Sequence, residues 1–168
     1  IQTCRLPAAW LDGFPYVGVV NDVDKAPAFI LADRGYDVWL GNNRGNKYAQ
    51  AHVTLDKSEQ AFWETNFVDY GLHDLPTFID YVLAQTGQSQ LTYMGHSQGT
   101  AQMFAGSSLM PDYFAEKVNL FVALAPITNV YNIGVPALHT ISKFWRPLQL
   151  AAEELGLYNW FETNWWLS

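Results

Sequence analysis

Five consecutive residues, Gly95-His96-Ser97-Gln98-Gly99, carry the clearest chemical possibility in this chain. A serine spaced G-x-S-x-G suits nucleophilic attack on a carbonyl carbon, because the flanking glycines let the backbone turn sharply and bring a helix close to a strand. In sequences of this composition the pattern arises by chance in roughly 0.035 of cases. Context adds weight. Leu91-Thr92-Tyr93-Met94 reads as a strand and Gln98 to Leu109 as a helix, so the serine falls on a strand-to-helix turn. Ser97 is expected above the carboxyl end of a sheet, with the Gln98 backbone N–H as the first donor to a developing oxyanion. An ordinary glycine-punctuated turn is the plainer reading of the same residues.

A serine hydroxyl needs a base, and the base needs an orienting carboxylate. Downstream of Ser97 there is one histidine, His139, and one aspartate, Asp112, with Glu116, Glu153, Glu154 and Glu162 as the other acids. Asp112 follows Pro111, roughly 20 Å from Ser97 along a helix rising ~1.5 Å per residue, and is expected to cap a helix. His139 lies in an irregular aromatic stretch and reads as a surface or packing histidine. His96 adjoins the serine but points away from it, and His52 and His73 precede it without an acid pattern. Ser97 and Gln98 are therefore the assigned site residues, and no metal or cofactor is expected.

The elements that would position them alternate. Ala26 to Arg34 reads as a short helix stopped by Gly35, and Tyr36 to Leu40 as a strand closed by the turn formers Gly41-Asn42-Asn43-Arg44-Gly45-Asn46. Arg44 and the Asn42, Asn43 and Asn46 side chains are expected to fix that loop, the arginine by binding carbonyls. Leu72, Leu75, Phe78, Ile79, Val82 and Leu83 recur at helical spacing within Asp69 to Thr86, and Leu120 to Leu124 makes a third strand ended by Pro126. The order β-α-β-α-β predicts an α/β fold with a parallel sheet and right-handed crossovers. Beyond Ile127 the aromatics Phe144, Trp145, Tyr158, Trp160, Phe161, Trp165 and Trp166 crowd a segment without strand pattern, which puts a boundary near residues 127–132.

Composition agrees with one core. The 168 residues are 49% hydrophobic and 15% charged, which excludes a disordered chain. A net charge of −7 repels a phosphate backbone, so no nucleic-acid partner is expected. The single cysteine, Cys4, excludes an internal disulfide framework and a Cys-based zinc cluster. The most apolar stretch, Val118 to Val130, is interrupted by Asn119, Pro126 and Asn129 and falls short of the ~20 residues a membrane span needs. No transmembrane segment is expected. The chain opens on Ile1 without a basic region and apolar run, and is expected to be processed or incomplete.

Ala26 to Asn46, Asp74-Leu75-Pro76, Thr86-Gly87-Gln88, Gly95 to Thr100 and Ala123-Leu124-Ala125-Pro126 together resemble the acid lipases of the α/β-hydrolase superfamily, which include gastric lipase and lysosomal acid lipase. The resemblance covers about residues 21–130. It implies an α/β-hydrolase core with a partial parallel sheet flanked by helices over residues 1–130, and the beginning of a helical cap over 131–168. It also implies Ser97 as nucleophile and Gln98 as oxyanion donor, acting on neutral lipid esters, triacylglycerols or sterol esters, at a lipid–water interface. Relatives in the family are secreted or lysosomal.

Two departures stand out. Where the family has a His-Gly motif supplying a second oxyanion donor, this chain reads Ala8-Ala9-Trp10-Leu11-Asp12-Gly13. The family's catalytic Asp and His lie on strands beyond the cap, past Ser168, so the chain is expected to be an amino-terminal fragment with little turnover of its own. The out-of-class alternative is a non-catalytic lipid-binding or interaction module that keeps the half-fold. The within-class alternative is a soluble esterase or thioesterase.

Overall fold

Three strands form where the hydrophobic runs predict them, in a computed structural model that describes residues 7–12, 18–129 and 134–156. In chain order the sheet comprises β1 (Pro7–Asp12), β2 (Asp37–Asn42), β3 (Leu91–His96) and β4 (Val118–Leu124). The strand absent from the sequence reading, β1, occupies the interior of the sheet, whose order is β2-β1-β3-β4 with every neighbour parallel. It pairs with β2 from Pro7↔Asp37 to Asp12↔Asn42, and with β3 through Ala8↔Thr92, Ala9↔Tyr93 and Trp10↔Met94. Pro-Ala-Ala-Trp-Leu-Asp has little intrinsic strand preference. Ladders on both edges supply what propensity does not.

The crossovers are helical, as parallel neighbours require. α1 (Pro27–Asp33) starts on a proline in its first turn, and Gly35 follows it at φ 90°. A short α2 (Gln60–Trp63) buries Phe62. The helix expected over Asp69 to Thr86 is present with a break in its pattern: α3 (Phe67–Asp69), a π-helical turn over Tyr70–Asp74, then α4 (Leu75–Thr86). Asn66 caps the run by accepting from Val68 N–H at 2.8 Å, while its own N–H donates to Asp69 at 2.9 Å. Gly87, at φ 67°, closes α4 by donating to the Leu83 carbonyl at 2.9 Å.

α5 (Gln98–Leu109) spans the expected residues, and α6 (Pro111–Lys117) follows it. The capping expectation for Asp112 does not hold. Met110 is the N-cap of α6, no side chain caps it, and Asp112 lies exposed in the first turn, where its charge complements the helix dipole.

The core lies where α4, α5 and α6 meet β3. Leu75, Ile79, Val82 and Leu83 from α4 pack with Leu91 and Tyr93 from β3, Met103 from α5 and Phe114 from α6. Each large aliphatic side chain so buried contributes roughly 1.5–3 kcal/mol. Burial alternates along β3, with Leu91, Tyr93 and Gly95 inside, so this face holds the strand in register beneath the Ser97 turn. On the outer side of α4, Tyr113 donates to Asp80 at 2.9 Å, as does the Lys117 ammonium at 2.9 Å. Burial, then the Asp80 contact, pushes the Tyr113 phenol well above its usual range; the Asp80 contact raises the Lys117 ammonium.

Within the late aromatic segment, the described residues 134–156 hold α7 (Pro136–Lys143) and α8 (Trp145–Glu154). Tyr158, Trp160, Phe161, Trp165 and Trp166 lie outside the described residues, as do 130–133 at the expected boundary.

Candidate active site

Ser97 lies between the last residue of β3 and the first of α5, with φ 52° and ψ −114°. A non-glycine residue in that region of backbone space carries strain, of order 1–3 kcal/mol, that its surroundings must hold. Several contacts do so. The Ser97 N–H donates to the Leu124 carbonyl at 2.9 Å, extending the β3–β4 ladder one step into the turn. The Ser97 carbonyl accepts from Thr100 N–H at 3.0 Å and from Thr100 Oγ1 at 2.6 Å. Thr100 Oγ1 in turn accepts from Ile127 N–H at 2.9 Å, so a fully buried hydroxyl ties the turn to the chain leaving β4. Ala125 in that exit also has positive φ, 48°.

The glycines have steric reasons to be where they are. A Cβ on Gly95 would sit 2.7 Å from both the carbonyl carbon and oxygen of Gly99, so only glycine lets α5 start this close to β3. One turn further on, a Cβ on Gly71 would lie 2.5 Å from the Gln102 carbonyl oxygen, and one on Gly106 would lie 2.7 Å from the Gly71 oxygen. The π-helical turn and α5 therefore touch backbone to backbone, which fixes α5 along its length.

Gln98 begins α5, so its N–H has no carbonyl four residues back within the helix and points from the helix's positive end. Ser97 is partly buried and Gln98 exposed. The geometry offers a hydroxyl and an adjacent amide donor at the carboxyl end of the sheet. That pair can attack a carbonyl and stabilise the resulting oxyanion. β1 ends on this same side of the sheet, and residues 13–17, where a second donor would follow it, lie outside the described residues.

The other candidates lie on separate elements. Asp112 stands beyond the far end of α5, about 20 Å of helix away from Ser97. His139 is exposed on α7, whose packing partner is α8. His96 ends β3, His73 lies in the π-helical turn, and His52 uses Nδ1 to accept from Leu55 N–H at 2.9 Å and Thr54 N–H at 3.1 Å. Among the described residues no group of three His, Cys, Asp or Glu side chains is gathered as a metal site, and no helix is long and apolar enough to cross a membrane.

The loop after β2 differs in detail from expectation. Arg44 binds a carboxylate rather than carbonyls: its backbone N–H and Nε donate to Asp74 at 2.9 and 2.6 Å, and Nη2 lies 2.6 Å from the same carboxylate. Asn46 accepts from Tyr48 N–H at 3.1 Å, a local turn contact of the expected kind. Asn43 is buried and reaches across to Gln102. Asp74, Thr100, Tyr93 and Gln102 are supporting residues that the sequence reading missed: helical periodicity marks only the apolar neighbours of Asp74, and Tyr93 reads as one more apolar residue of its strand.

A family model for the alpha/beta hydrolase fold matches residues 10–144. The chain belongs to the alpha/beta hydrolase fold family. Within it, this α/β-hydrolase chain is similar to lipases. It is 47% identical over 107 residues to a probable lipase of Schizosaccharomyces pombe, covering 64% of this chain and 24% of that protein. It is 49% identical over 102 residues to gastric triacylglycerol lipase of Bos taurus, covering 61% and 25% respectively. With lysosomal acid lipase/cholesteryl ester hydrolase of Homo sapiens it shares 42% identity over 112 residues, 67% of this chain and 28% of that enzyme. The chain thus spans about a quarter of the length of these relatives.

Proposed function

We propose that this α/β-hydrolase chain carries the nucleophile of a serine ester hydrolase, a lipase acting on triacylglycerols or sterol esters. The observation behind the reading is Ser97, held at φ 52° and ψ −114° between β3 and the amino end of α5. Its Oγ would attack the ester carbonyl carbon and pass its proton to a base, while Gln98 N–H stabilises the oxyanion. The alcohol leaves with that proton and water then cleaves the acyl-Ser97 ester. The relatives' names, triacylglycerol lipase and cholesteryl ester hydrolase, support the substrate class. The proposal assigns neither base nor orienting acid to His139 or Asp112: Asp112 stands past the far end of α5, and His139 lies on α7, in the segment read as the start of the cap. Residues 1–130 then form the amino-terminal part of the hydrolase core and 131–168 the start of its cap.

Asp112, set past the far end of α5 from Ser97, favours a second reading for residues 1–168 alone, a lipid-binding module without turnover. One experiment separates the two. The longest protein encoded with this chain, and residues 1–168 alone, are treated with a long-chain alkyl fluorophosphonate and assayed on fluorogenic esters of graded chain length. The lipase reading expects labelling and long-chain turnover in the longer protein that Ser97→Ala abolishes, with at least a thousandfold less turnover in residues 1–168, as triad loss entails. Binding of long-chain ester without labelling in either protein would support the module, and a short-chain optimum would support a soluble esterase or thioesterase.

A further inference from the structure

Beneath the Ser97 turn run three buried polar side chains whose hydrogen bonds all point the same way. Asn43 Nδ2 donates to Gln102 Oε1 at 2.7 Å, Gln102 Nε2 donates to the Tyr93 hydroxyl at 3.2 Å, and that hydroxyl donates to the Gly99 carbonyl at 2.8 Å. Gln102 and Tyr93 are fully buried and Asn43 is 3% exposed. We propose that Asn43, Gln102 and Tyr93 form a positioning relay that holds the Gly99 peptide, and through it the Ser97 turn, in register with the loop after β2. The inference rests on the reading of Ser97 as nucleophile and deepens it.

Packing alone does not call for these side chains. The Tyr93 ring already fills its place in the core and lies 5.6 Å from the Phe121 ring, so phenylalanine would meet the volume requirement. The hydroxyl adds something different, a bond to the carbonyl two residues past Ser97. Tyr93 also reaches the other end of the turn, since its Cε1 lies 3.0 Å from where a Gly95 Cβ would be. One side chain therefore touches both glycines that bracket Ser97. At its far end the relay is anchored as well, because Asn43 precedes Arg44, whose N–H and guanidinium are fixed on Asp74. Each middle group both donates and accepts, so every bond polarises the next, and a change at Asn43 is felt at Gly99.

The test uses the longest protein encoded with this chain and reads the rate of Ser97 modification by a long-chain alkyl fluorophosphonate beside the melting temperature. Tyr93→Phe keeps the ring and is expected to slow labelling roughly tenfold to a hundredfold, the cost of a small misplacement of a reacting group. Asn43→Ala, at the opposite end of the relay, is expected to slow labelling as well. The double variant should label no more slowly than the slower single one, because each breaks the same unit. Ile79→Val, in the core on α4, serves as the control that lowers melting temperature while leaving the rate unchanged. Labelling of Tyr93→Phe at the wild-type rate, slowing of Ile79→Val to the same extent at an equal loss of melting temperature, or independent multiplying effects in the double variant would each overturn the relay. Should Tyr93→Phe not fold, a wild-type rate in Asn43→Ala overturns it equally. A wild-type protein that labels no faster than Ser97→Ala would instead remove the nucleophile assignment, and the relay with it.

Discussion

The Ser97 turn and the α7–α8 segment sit at opposite extremes of the same chain. At the turn, β3, β4, α5 and the exit from β4 converge on a few residues, and buried side chains from two elements, Tyr93 of β3 and Thr100 of α5, bond the backbone there. Along α7 and α8 the helices are closed by their own local bonds, while Phe144, Trp145 and Leu155 stand 58%, 51% and 73% exposed. The contrast teaches where backbone strain can persist. A serine at φ 52° survives where long-range contacts over-determine it, whereas a segment resting on local bonds adopts unstrained helix and leaves its apolar side chains outward.

The largest test of this contrast is steric. Gly95→Ala puts a methyl group 2.7 Å from the Gly99 backbone and is expected to cost about 3 kcal/mol or more in urea unfolding, since backbone rather than a flexible side chain must move. Gly134→Ala, before α7, meets nothing within 4 Å and is expected to change stability by no more than ~0.5 kcal/mol. Equal costs would erase the distinction between the two regions.

Next in size is the anchor behind the turn. Asp74→Asn leaves Arg44 without its carboxylate and should cost about 1.5–3 kcal/mol, the range for a hydrogen bond to a charged group. Strain itself can be read by comparing Ser97→Gly with Ser97→Ala. Glycine adopts φ 52° freely, so it should be the more stable variant by about 1 kcal/mol or somewhat more in thermal unfolding.

Smaller effects belong to the exposed surface. Phe144→Ser should shift stability by less than ~0.5 kcal/mol yet reduce self-association in light scattering, because the side chain projects outward. The smallest concerns pH. The Ser58 hydroxyl and amide hold the Asp56 carboxyl below its ordinary value of 3.8. Since the folded state binds fewer protons there, this contribution is present above that value and is lost as pH falls through the lowered one. Ser58→Ala should flatten the acid limb of the stability profile slightly.

What could be read from the sequence follows the distance over which each feature is built. The Ser97 turn and the start of α5 are legible because their chemistry occupies five adjacent residues, and α4 is legible because its apolar periodicity and its glycine stop are local. β1 is not, since two neighbouring strands impose its extended form on residues with little preference for it. The relay escapes because Asn43 and Gln102 are 59 positions apart and Tyr93 counts in a hydrophobic run as one more apolar residue. Arg44 shows both sides: its role in fixing the loop follows from turn chemistry, but its partner Asp74 lies 30 residues on, where only the folded chain brings it.

The π-helical turn at Tyr70–Asp74 changes how length variation acts on this molecule. Such a turn carries one residue more than an α-helical turn, so the segments before and after it are out of phase by about 100°. No single helical wheel describes Phe67 to Thr86. Asp74, the last residue of this turn, faces Arg44, while Leu75 after it is sealed in the core. The turn works as a vernier between two helical scales. A chain shortened by one residue here would bring the two segments into phase, so either α3 or the Asp74 carboxylate must turn by about 100° from its present partners, and contacts far apart in the sequence hang on a residue count in this helix.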